Sequence, residues 1–216
     1  MKIALVIYSL AGGGAERVMA TMANWWAEKH EDVTLITFDP PHEDRYWLHP
    51  AVKRRPLSLF WPLRPSRFVW EKARNAFRVW VRLRKGVLGD NPDAIVAFGD
   101  ICNVLVLAAC AGSGAPIVVA ERIDPRFHRI PFLWRVLRRL TYPWASALVV
   151  QTEAVARGWA RWVVPGWKVR VIPNPCREVV LGVEHGERLP RVVAVGRLVC
   201  AQKGFDVLLQ AFSRVA

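Results

Sequence analysis

The sequence predicts a doubly wound α/β domain, because short apolar runs alternate along the chain with helical patterns. In these runs apolar residues follow one another without polar alternation, which is typical of parallel strands buried on both faces. Strand–helix–strand connections then place helices on both sides of the sheet. The predicted strands span residues 2–9, 32–38, 93–99, 116–121, 146–152 and 168–173.

Two helices carry clear amphipathic patterns. The first, residues 15–29, places Val18, Met19, Met22 and Trp26 on one face. The second, residues 67–88, has an apolar stripe and a basic stripe on separate sides. Its apolar stripe is Ala73, Phe77, Trp80, Val81 and Leu88, and its basic stripe is Arg74, Arg78, Arg82 and Lys85.

The character of the chain changes after residue 172. Residues 1–172 are predicted to form the first domain, and residues 173–189, with prolines and mixed charge, read as a linker. Residues 190–216 begin again with a strand, a loop and a helix with Leu208, Leu209, Phe212 and Val215 inward. One strand and one helix bury no core of their own, so we expect a second domain truncated after its first unit.

Composition excludes several classes of protein. The 216 residues are 53% hydrophobic, which favours a globular chain over a disordered one. The four cysteines have neither metal-ligand pairing nor the density of a secreted disulfide scaffold. No apolar run reaches the roughly 18 residues that a membrane-spanning helix needs. We therefore expect a reduced, cytoplasmic protein that neither enters secretion nor spans a membrane.

Positive charge is concentrated in one segment. The formal net charge is +13, and residues 53–85 hold eleven Lys or Arg against the single acid Glu71. Such a segment favours an anionic partner: nucleic acid, an acidic membrane surface or a phosphorylated small molecule.

A glycine loop, Gly12 to Gly14, joins the first strand to the first helix. Glycine suits backbone that takes positive φ or lies close to a bulky ligand. At the carboxyl end of a strand, the N-terminus of the following helix favours a phosphate. A tight turn that binds nothing is the alternative.

A second loop, after the strand of the predicted second domain, supplies Arg197 and Lys203, whose charges match phosphate oxygens.

Five segments together resemble glycosyltransferase family 4. They are "GGGAERV" after the first strand, "VVAERIDP" (118–125), "VVQTEAV" (149–155), "VIPNP" (171–175) and "VGRLVCAQKGFDVLLQAF" (195–212). The resemblance implies the GT-B fold, in which two Rossmann-like domains face each other. It further implies a nucleotide-diphosphate sugar donor, transfer with retention of anomeric configuration and no required metal or other cofactor. Family members commonly build lipopolysaccharide or other surface glycans on lipid-linked acceptors at the cytoplasmic face of a membrane.

The resemblance also assigns roles to residues. Arg197 and Lys203 would bind the donor diphosphate, and the backbone at Gly13 and Gly14 would approach donor or acceptor from the other domain. Lys203 follows Arg197 by six residues where the family usually has five. The family's glutamate pair would lie beyond Ala216, so we expect this chain alone to be inactive.

Acceptor contacts are predicted on loops that follow strands. No residue is assigned as the catalytic base, and no histidine has triad or metal-site spacing, although His128 lies near this rim. For each candidate, helix capping or a local salt bridge is the alternative. The candidates are Glu16, Asp100, Asn103, Glu121, Arg122 and Asp124.

The basic segment 53–85 has two compatible interpretations. Phe60, Trp61 and Phe68 would enter an anionic membrane interface while the arginines meet head groups. Alternatively, Phe77 and Trp80 pack on the sheet and the arginines are only solvated.

Two other classes of function remain as alternatives. An NAD-dependent oxidoreductase needs a third glycine where this chain has Arg17, although Asp39 could take the place of the ribose-binding acid. A nucleic-acid-binding module would use the positive charge, but the chain has no recognisable RNA or DNA motif, so we expect no nucleic acid partner.

Overall fold

A seven-stranded parallel sheet forms the centre of the larger of two compact units, Met1–Cys176. The computed structural model describes residues 1–40, 44–59, 69–124, 128, 130–175, 192–196 and 204–214. The strand order is β3-β2-β1-β4-β5-β6-β7, and every neighbouring pair is parallel. The strands are β1 (Lys2–Ile7), β2 (Asp32–Thr37), β3 (Lys53–Pro56), β4 (Ala94–Phe98), β5 (Ile117–Ala120), β6 (Ala147–Val150) and β7 (Val169–Val171).

The sequence prediction of a doubly wound parallel sheet is confirmed, with β1 next to the central strand β4. Strand β3 was not predicted, because its sequence KRRP lacks apolar residues. It lies at the edge of the sheet, where charged side chains are common. Arg54 forms two hydrogen bonds with the Asp44 carboxylate, of 2.7 and 2.9 Å. Arg55 contacts Asp90 at 2.8 Å. Part of the basic segment is therefore neutralised within the fold.

Helices cover the two faces of the sheet unequally. Among the described helices, α1 packs on one face through Val18 and Met19, in a cluster with Leu5 and Leu35. Helices α2 to α5 pack on the other face, as right-handed crossovers require. The helices are α1 (Gly14–Glu28), α2 (Val69–Leu88), α3 (Asp100–Cys110), α4 (Phe132–Thr141) and α5 (Glu153–Trp162), with 3₁₀ turns at Tyr142–Trp144 and Gly166–Lys168.

The predicted stripes of α1 and α2 differ in outcome. In α1, Val18 and Met19 are buried, with Met22 and Trp26 packed against the same cluster, as predicted. In α2, the prediction that Phe77 and Trp80 pack on the sheet is wrong. Those two side chains are 64% and 39% exposed, respectively. The sheet side of α2 instead carries the smaller aliphatic residues Val79, Leu83 and Val87, and Leu88 also packs against this core.

The second compact unit is Arg177–Ala216. Its described part contains helix α6 (Phe205–Phe212), as predicted, but residues 192–196 form no strand. A strand needs a neighbour to complete its hydrogen bonds, and the described part of this unit provides none. Leu208, Leu209 and Phe212 are exposed rather than inward. Val215 and most of the predicted linker 173–189 lie outside the described residues. The domain boundaries therefore stay predictions.

None of the described helices is both long enough and apolar enough to cross a lipid bilayer.

Candidate functional site

The carboxyl edge of the sheet has a crevice where the direction of chain winding changes. From β1 the chain passes through α1 to β2, and from β4 it passes through α3 to β5 on the opposite side. The loops after β1 and β4 therefore separate, which is where open α/β sheets bind ligands. All the predicted acceptor candidates lie on or beneath this edge.

The glycine loop lies beside the loop that follows β4 at this edge of the sheet. Of its three glycines, only Gly12 has a positive φ, +118°. Gly13 is extended (φ −174°) and precedes the first helical residue, Gly14. The Tyr46 hydroxyl accepts a hydrogen bond from the Gly13 N–H (3.0 Å) and donates one to the Gly13 carbonyl (2.8 Å). Tyr46, which the sequence reasoning did not single out, thus holds the loop in place.

Space for a ligand differs among the glycines. A methyl group added at Gly13 would collide with the carboxylate of Glu16, which is half-buried in the first turn of α1. The same group at Gly14 would have no other heavy atom within 4 Å. Gly14, exposed at the start of α1, is therefore the position where a ligand can come closest to the backbone.

Asp100 and His128 are hydrogen-bonded to each other after β4. The Asp100 carboxylate lies at the first residue of α3 and contacts His128 Nε2 at 3.0 Å. Its other oxygen accepts a hydrogen bond from the backbone N–H of Ile101 at 2.7 Å. Gly99, which precedes it, has a φ of +96°. The pair is partly exposed at the edge, with the carboxylate fixed by backbone and histidine together.

Glu121 and Asn103 lie beneath the edge in a buried polar network. Asn103 is 0% exposed and Glu121 5%. The Asn103 amide donates to the Ala120 carbonyl and to the Tyr142 hydroxyl, both at 3.1 Å. The Tyr142 hydroxyl in turn donates to the Glu121 carboxylate. Both side chains are buried within this network, and their predicted contact with an acceptor stays a prediction.

Burial dominates the electrostatics of this network. It raises the pKa of Glu121 to about 7, although the hydrogen bond from Tyr142 and the charge of Arg138 oppose the shift. Burial and the Glu121 carboxylate raise the pKa of Tyr142 well above its usual value. Tyr142 stacks on Trp159 of α5 with ring centroids 5.5 Å apart. The network therefore joins β5, α3 and α5 directly behind the edge.

Arg122 connects loops that follow three neighbouring strands. Its guanidinium lies 3.9 Å from the ring centroid of Phe98 and donates to Asn174 Oδ1 at 2.8 Å. Gln151 donates to the same oxygen at 3.3 Å. Burial lowers the pKa of Arg122 to about 10, so it is still a cation at neutral pH. Gln151 and Asn174 belong to segments that carry the family resemblance. Only the folded structure shows that Arg122 and Gln151 both donate to the same oxygen of Asn174.

The remaining predicted residues divide into described and undescribed ones. Asp124 lies half-buried on the same loop as Arg122. Arg197 and Lys203 lie outside the described residues, so their predicted diphosphate role stays a prediction. Within the part of the chain that the structure describes, no group of three or more His, Cys, Asp or Glu side chains is placed to hold a metal ion.

Comparison with known proteins identifies relatives of this chain. Residues 12–177 match the sequence profile of Glycosyltransferase Family 4. The chain is 33% identical over 178 residues to an α-1,4-N-acetyl-D-galactosaminyltransferase of Campylobacter jejuni, whose name specifies GalNAc-α-(1→4)-GalNAc-α-(1→3)-diNAcBac-PP-undecaprenol. This match covers 82% of the chain and 46% of the relative. The chain thus spans about half the length of that curated relative.

Solved structures support the fold. The apo form of the lipopolysaccharide outer core galactosyltransferase WaaB superimposes with a TM-score of 0.60 and 13% identity, over 87% of this chain and 50% of that one. Anabaena HepE in complex with UDP gives a TM-score of 0.57 and 16% identity, over 81% of this chain and 44% of that one. At these identities the likeness concerns the fold alone.

Proposed function

The chain belongs to glycosyltransferase family 4, and from this membership we propose that it carries the acceptor-side half of a retaining glycosyltransferase. The enzyme moves a sugar from a nucleotide-diphosphate sugar to a lipid-linked glycan during assembly of a surface polysaccharide or lipopolysaccharide. It requires no metal. It works in the cytoplasm, peripherally on the inner face of the cell membrane. The NAD-dependent and nucleic-acid-binding alternatives find no support in the family match.

The meeting of several loops at one edge of the sheet is the structural observation that most supports this proposal. Segments that carry the family resemblance are far apart in the sequence but meet at one edge of the sheet. They place Gly14 after β1, Arg122 after β5, Gln151 after β6 and Asn174 after β7. Arg122, Gln151 and Asn174 are in hydrogen-bond contact there. A set of loops converging at the switch point of a doubly wound sheet is suited to a bound substrate.

The acceptor class is proposed from the chemistry of the relative. The Campylobacter jejuni protein is named for an undecaprenol-diphosphate-linked glycan. An acceptor of that class presents sugar hydroxyl groups at one end and a diphosphate next to the lipid. The Arg122 cation and the partly exposed Asp100–His128 pair lie at the edge where such hydroxyl and phosphate oxygens would be recognised.

The reaction exchanges one bond at the anomeric carbon. The acceptor hydroxyl oxygen forms a bond to that carbon, while the bond between the carbon and the donor phosphate oxygen breaks. The departing diphosphate takes the bonding electrons, and one of its phosphate oxygens accepts the proton of the acceptor hydroxyl. Negative charge therefore develops on the diphosphate and must meet fixed cations and N–H dipoles. Arg197 and Lys203 are proposed to supply the cations.

Residues of the described domain have positioning tasks in this scheme. Asn174 and Gln151 orient the Arg122 guanidinium, since both contact it directly or through a shared oxygen. The buried Glu121–Tyr142–Asn103 network holds the loop after β5 against α3. Gly14 leaves room for a ligand to approach the start of α1.

The test uses the longest natural polypeptide that contains these 216 residues. Transfer from labelled nucleotide sugars to a polyprenyl-diphosphate glycan is measured for wild type, Arg197→Ala and Lys203→Ala. Each substitution should lower turnover by on the order of 10²-fold, because it removes a preorganised charge from the leaving diphosphate. Thermal melting should be little changed.

Arg214→Ala is the matched control, since Arg214 is an exposed cation of the same unit. It should transfer sugar at the wild-type rate. Wild-type turnover in both the Arg197→Ala and Lys203→Ala variants would place the diphosphate elsewhere. A wild-type protein that transfers sugar from no nucleotide sugar at all would contradict the proposed activity itself.

A further inference from the structure

Helix α2 turns its largest apolar side chains away from the sheet. Phe77 is 64% exposed, whereas Leu83, on the sheet side, is 0% exposed. Phe77 and Trp80 stack with ring centroids 6.0 Å apart. The two stacked rings leave a large apolar area exposed on the outside of the helix, with the Arg84 guanidinium 5.7 Å from the Trp80 ring centroid.

Helix α4 has the same arrangement. Its inner side uses Trp134 and Leu137, which pack against the core. Its outer side exposes Phe132 (72%), Leu133 (63%) and Leu140 (60%). The spacing of Leu133 and Leu140 is two helical turns, so both lie on one side of α4.

The Trp80 side chain of α2 reaches towards α3, which packs between α2 and α4. The Trp80 indole N–H donates to the Ala108 carbonyl of α3 at 3.1 Å. On α4, Arg138 lies 4.7 Å from the ring centroid of Trp159 in α5, so that side of α4 faces α5. Leu133 and Leu140 lie on the opposite side, towards α3. The outermost residues of α3 add no charge, since Leu105 is half-buried and apolar.

We call the exposed apolar side chains on the two sides of α3 the apolar strip: Phe77, Trp80, Phe132, Leu133, Val136 and Leu140. Arginine and lysine border it on both sides. On α2, Arg78, Arg82 and Lys85 lie on the side away from α3 and are exposed; on α4, Arg135 and Arg139 lie on the side towards α5. Helix α4 contains no acidic residue, and Glu71 is the single acid of α2.

We propose that the apolar strip docks on an anionic lipid surface. Exposed Phe, Trp and Leu side chains enter the interface of a bilayer, while flanking arginines meet phosphate head groups. An apolar strip with cations on both sides complements a negatively charged interface, whereas a protein partner would need two parallel acidic borders at the same spacing. The strip extends the basic segment 53–85 to α4, which sequence reasoning did not implicate.

Docking through this surface also orients the candidate site. Each helix of a strand–helix–strand unit begins near the carboxyl edge of the sheet. Phe132 and Leu133 are the first two residues of α4, so the strip reaches the edge that carries Arg122. The proposal rests on the proposed function in one respect: a lipid-linked acceptor would then be presented from the docked surface.

Vesicle sedimentation tests the docking with the 216-residue chain itself. Vesicles of phosphatidylcholine alone are compared with vesicles containing phosphatidylglycerol, at low and high salt. The wild-type chain should sediment with the anionic vesicles only, and salt should weaken the binding. The Leu133→Ser/Leu140→Ser variant should bind at least tenfold more weakly, since it removes two leucines that the proposal inserts into the lipid interface. Arg135→Gln/Arg139→Gln should also lose roughly tenfold or more.

Matched controls lie on the other face of the sheet. Trp25→Ser removes an exposed tryptophan of α1, and Lys29→Gln removes the cation above its ring; both should bind vesicles like the wild type. Circular dichroism melting should be unchanged in all variants, because the substituted residues are exposed.

Three outcomes would overturn the proposal. The first is equal sedimentation with neutral and anionic vesicles. The second is wild-type binding by both strip variants. The third is absence of vesicle binding together with a dimer that the Leu133→Ser/Leu140→Ser variant converts to a monomer, which would assign the strip to a second copy of the chain. Vesicle binding requires no turnover, so docking of this chain together with no sugar transfer by the longest natural polypeptide would contradict the proposed function alone.

Discussion

The helices on the two faces of the sheet place their apolar side chains differently. On the face covered by α1, Val18, Met19 and Ala23 are all buried against β1 and β2. On the other face, Phe77 of α2 is exposed while the smaller aliphatic residues Leu83 and Val87 make the contact with the sheet. Amphipathic periodicity therefore identifies a helix reliably, but it identifies the buried side only when the helix has a single apolar side.

The two faces of the sheet also differ in the polar side chains that they bury. On the α1 face, the buried polar side chain Thr37 is a neutral hydroxyl, which pairs in register with Ile7 and donates to the Asp39 carbonyl at 2.7 Å. The face under α2 to α5 contains the Glu121–Tyr142–Asn103 network close to the carboxyl edge. A buried carboxylate is costly unless it is hydrogen-bonded or protonated. The face under α2 to α5 thus carries the cost of a buried carboxyl group close to the candidate site, and groups with shifted pKa values are common at ligand sites.

Substitutions in α2 give the largest expected effect and test the comparison directly. Leu83→Ala should lower the free energy of unfolding by about 2–5 kcal/mol, because it leaves a cavity against the sheet. Phe77→Ala, although it removes a larger side chain, should change it by no more than about 0.5 kcal/mol, since Phe77 is exposed. Urea denaturation measures both.

Met19→Ala supplies the reference on the α1 face, where Met19 is 0% exposed. Met19→Ala should lower the free energy of unfolding by about as much as Leu83→Ala. A Phe77→Ala variant that is destabilised as much as Leu83→Ala would mean that the aromatic side of α2 faces the sheet after all, and the difference between the two faces would disappear.

Much of the architecture was predictable from local sequence. Uninterrupted apolar runs predicted six strands and their parallel pairing, and the glycine loop was expected at the carboxyl edge, where it lies. Strand β3 was missed because an edge strand of basic residues has no apolar signal. Its identity depends on backbone pairing with β2 and on ion pairs to Asp44 and Asp90, which sequence patterns do not display.

The candidate site was less predictable than the fold. Loop positions after strands led to Asp100, Glu121 and Arg122, but loop position does not tell an exposed side chain from a buried one. Glu121 was selected as an acceptor contact, and the structure buries it against Tyr142. Tyr46 was not selected, because its contact with Gly13 spans 33 residues. Such side-chain contacts follow from tertiary packing, which periodicity alone does not specify.

Glu121→Gln gives the next largest expected effect on the free energy of unfolding, and the size of this effect depends on pH. The pKa of Glu121 in the folded chain is about 7, above its ordinary value of 4.5. A raised carboxyl pKa means that this group supports folding below about pH 4.5 and that the support is lost as pH rises through about 7. Glu121→Gln removes that dependence. Between pH 5 and 8, the variant should gain roughly 2–3 kcal/mol of unfolding free energy relative to wild type.

Glu28→Gln is the control on the α1 face, because Glu28 is an exposed carboxyl at the end of α1. Its stability difference from wild type should be nearly the same at pH 5 and pH 8. If Glu121→Gln behaves in the same way, the Glu121 carboxyl is not a buried titrating group, and the polar network no longer distinguishes the two faces.

The glycine loop gives the smallest expected effects, and it separates what the α1 face needs for folding from what the site needs for a ligand. Gly12→Ala should destabilise the fold by about 1 kcal/mol or more, because the φ of Gly12 is +118° and side chains disfavour that conformation. Gly14→Ala should leave stability unchanged or raise it by up to about 1 kcal/mol, because Gly14 begins the helix and faces open space. Thermal melting measures both.

Sugar transfer by the same variants, in the longest natural polypeptide, then decides why Gly14 is a glycine. If a ligand lies against the start of α1, the added methyl group of Gly14→Ala occupies its space, and the KM for donor or acceptor should rise several-fold while the fold stays intact. Gly112→Ala, in a loop of positive φ at the opposite end of α3, should destabilise the protein without changing KM. A Gly14→Ala variant with wild-type KM would leave only the tight turn as the reason for these glycines, since a backbone that touches no substrate tolerates a methyl group there.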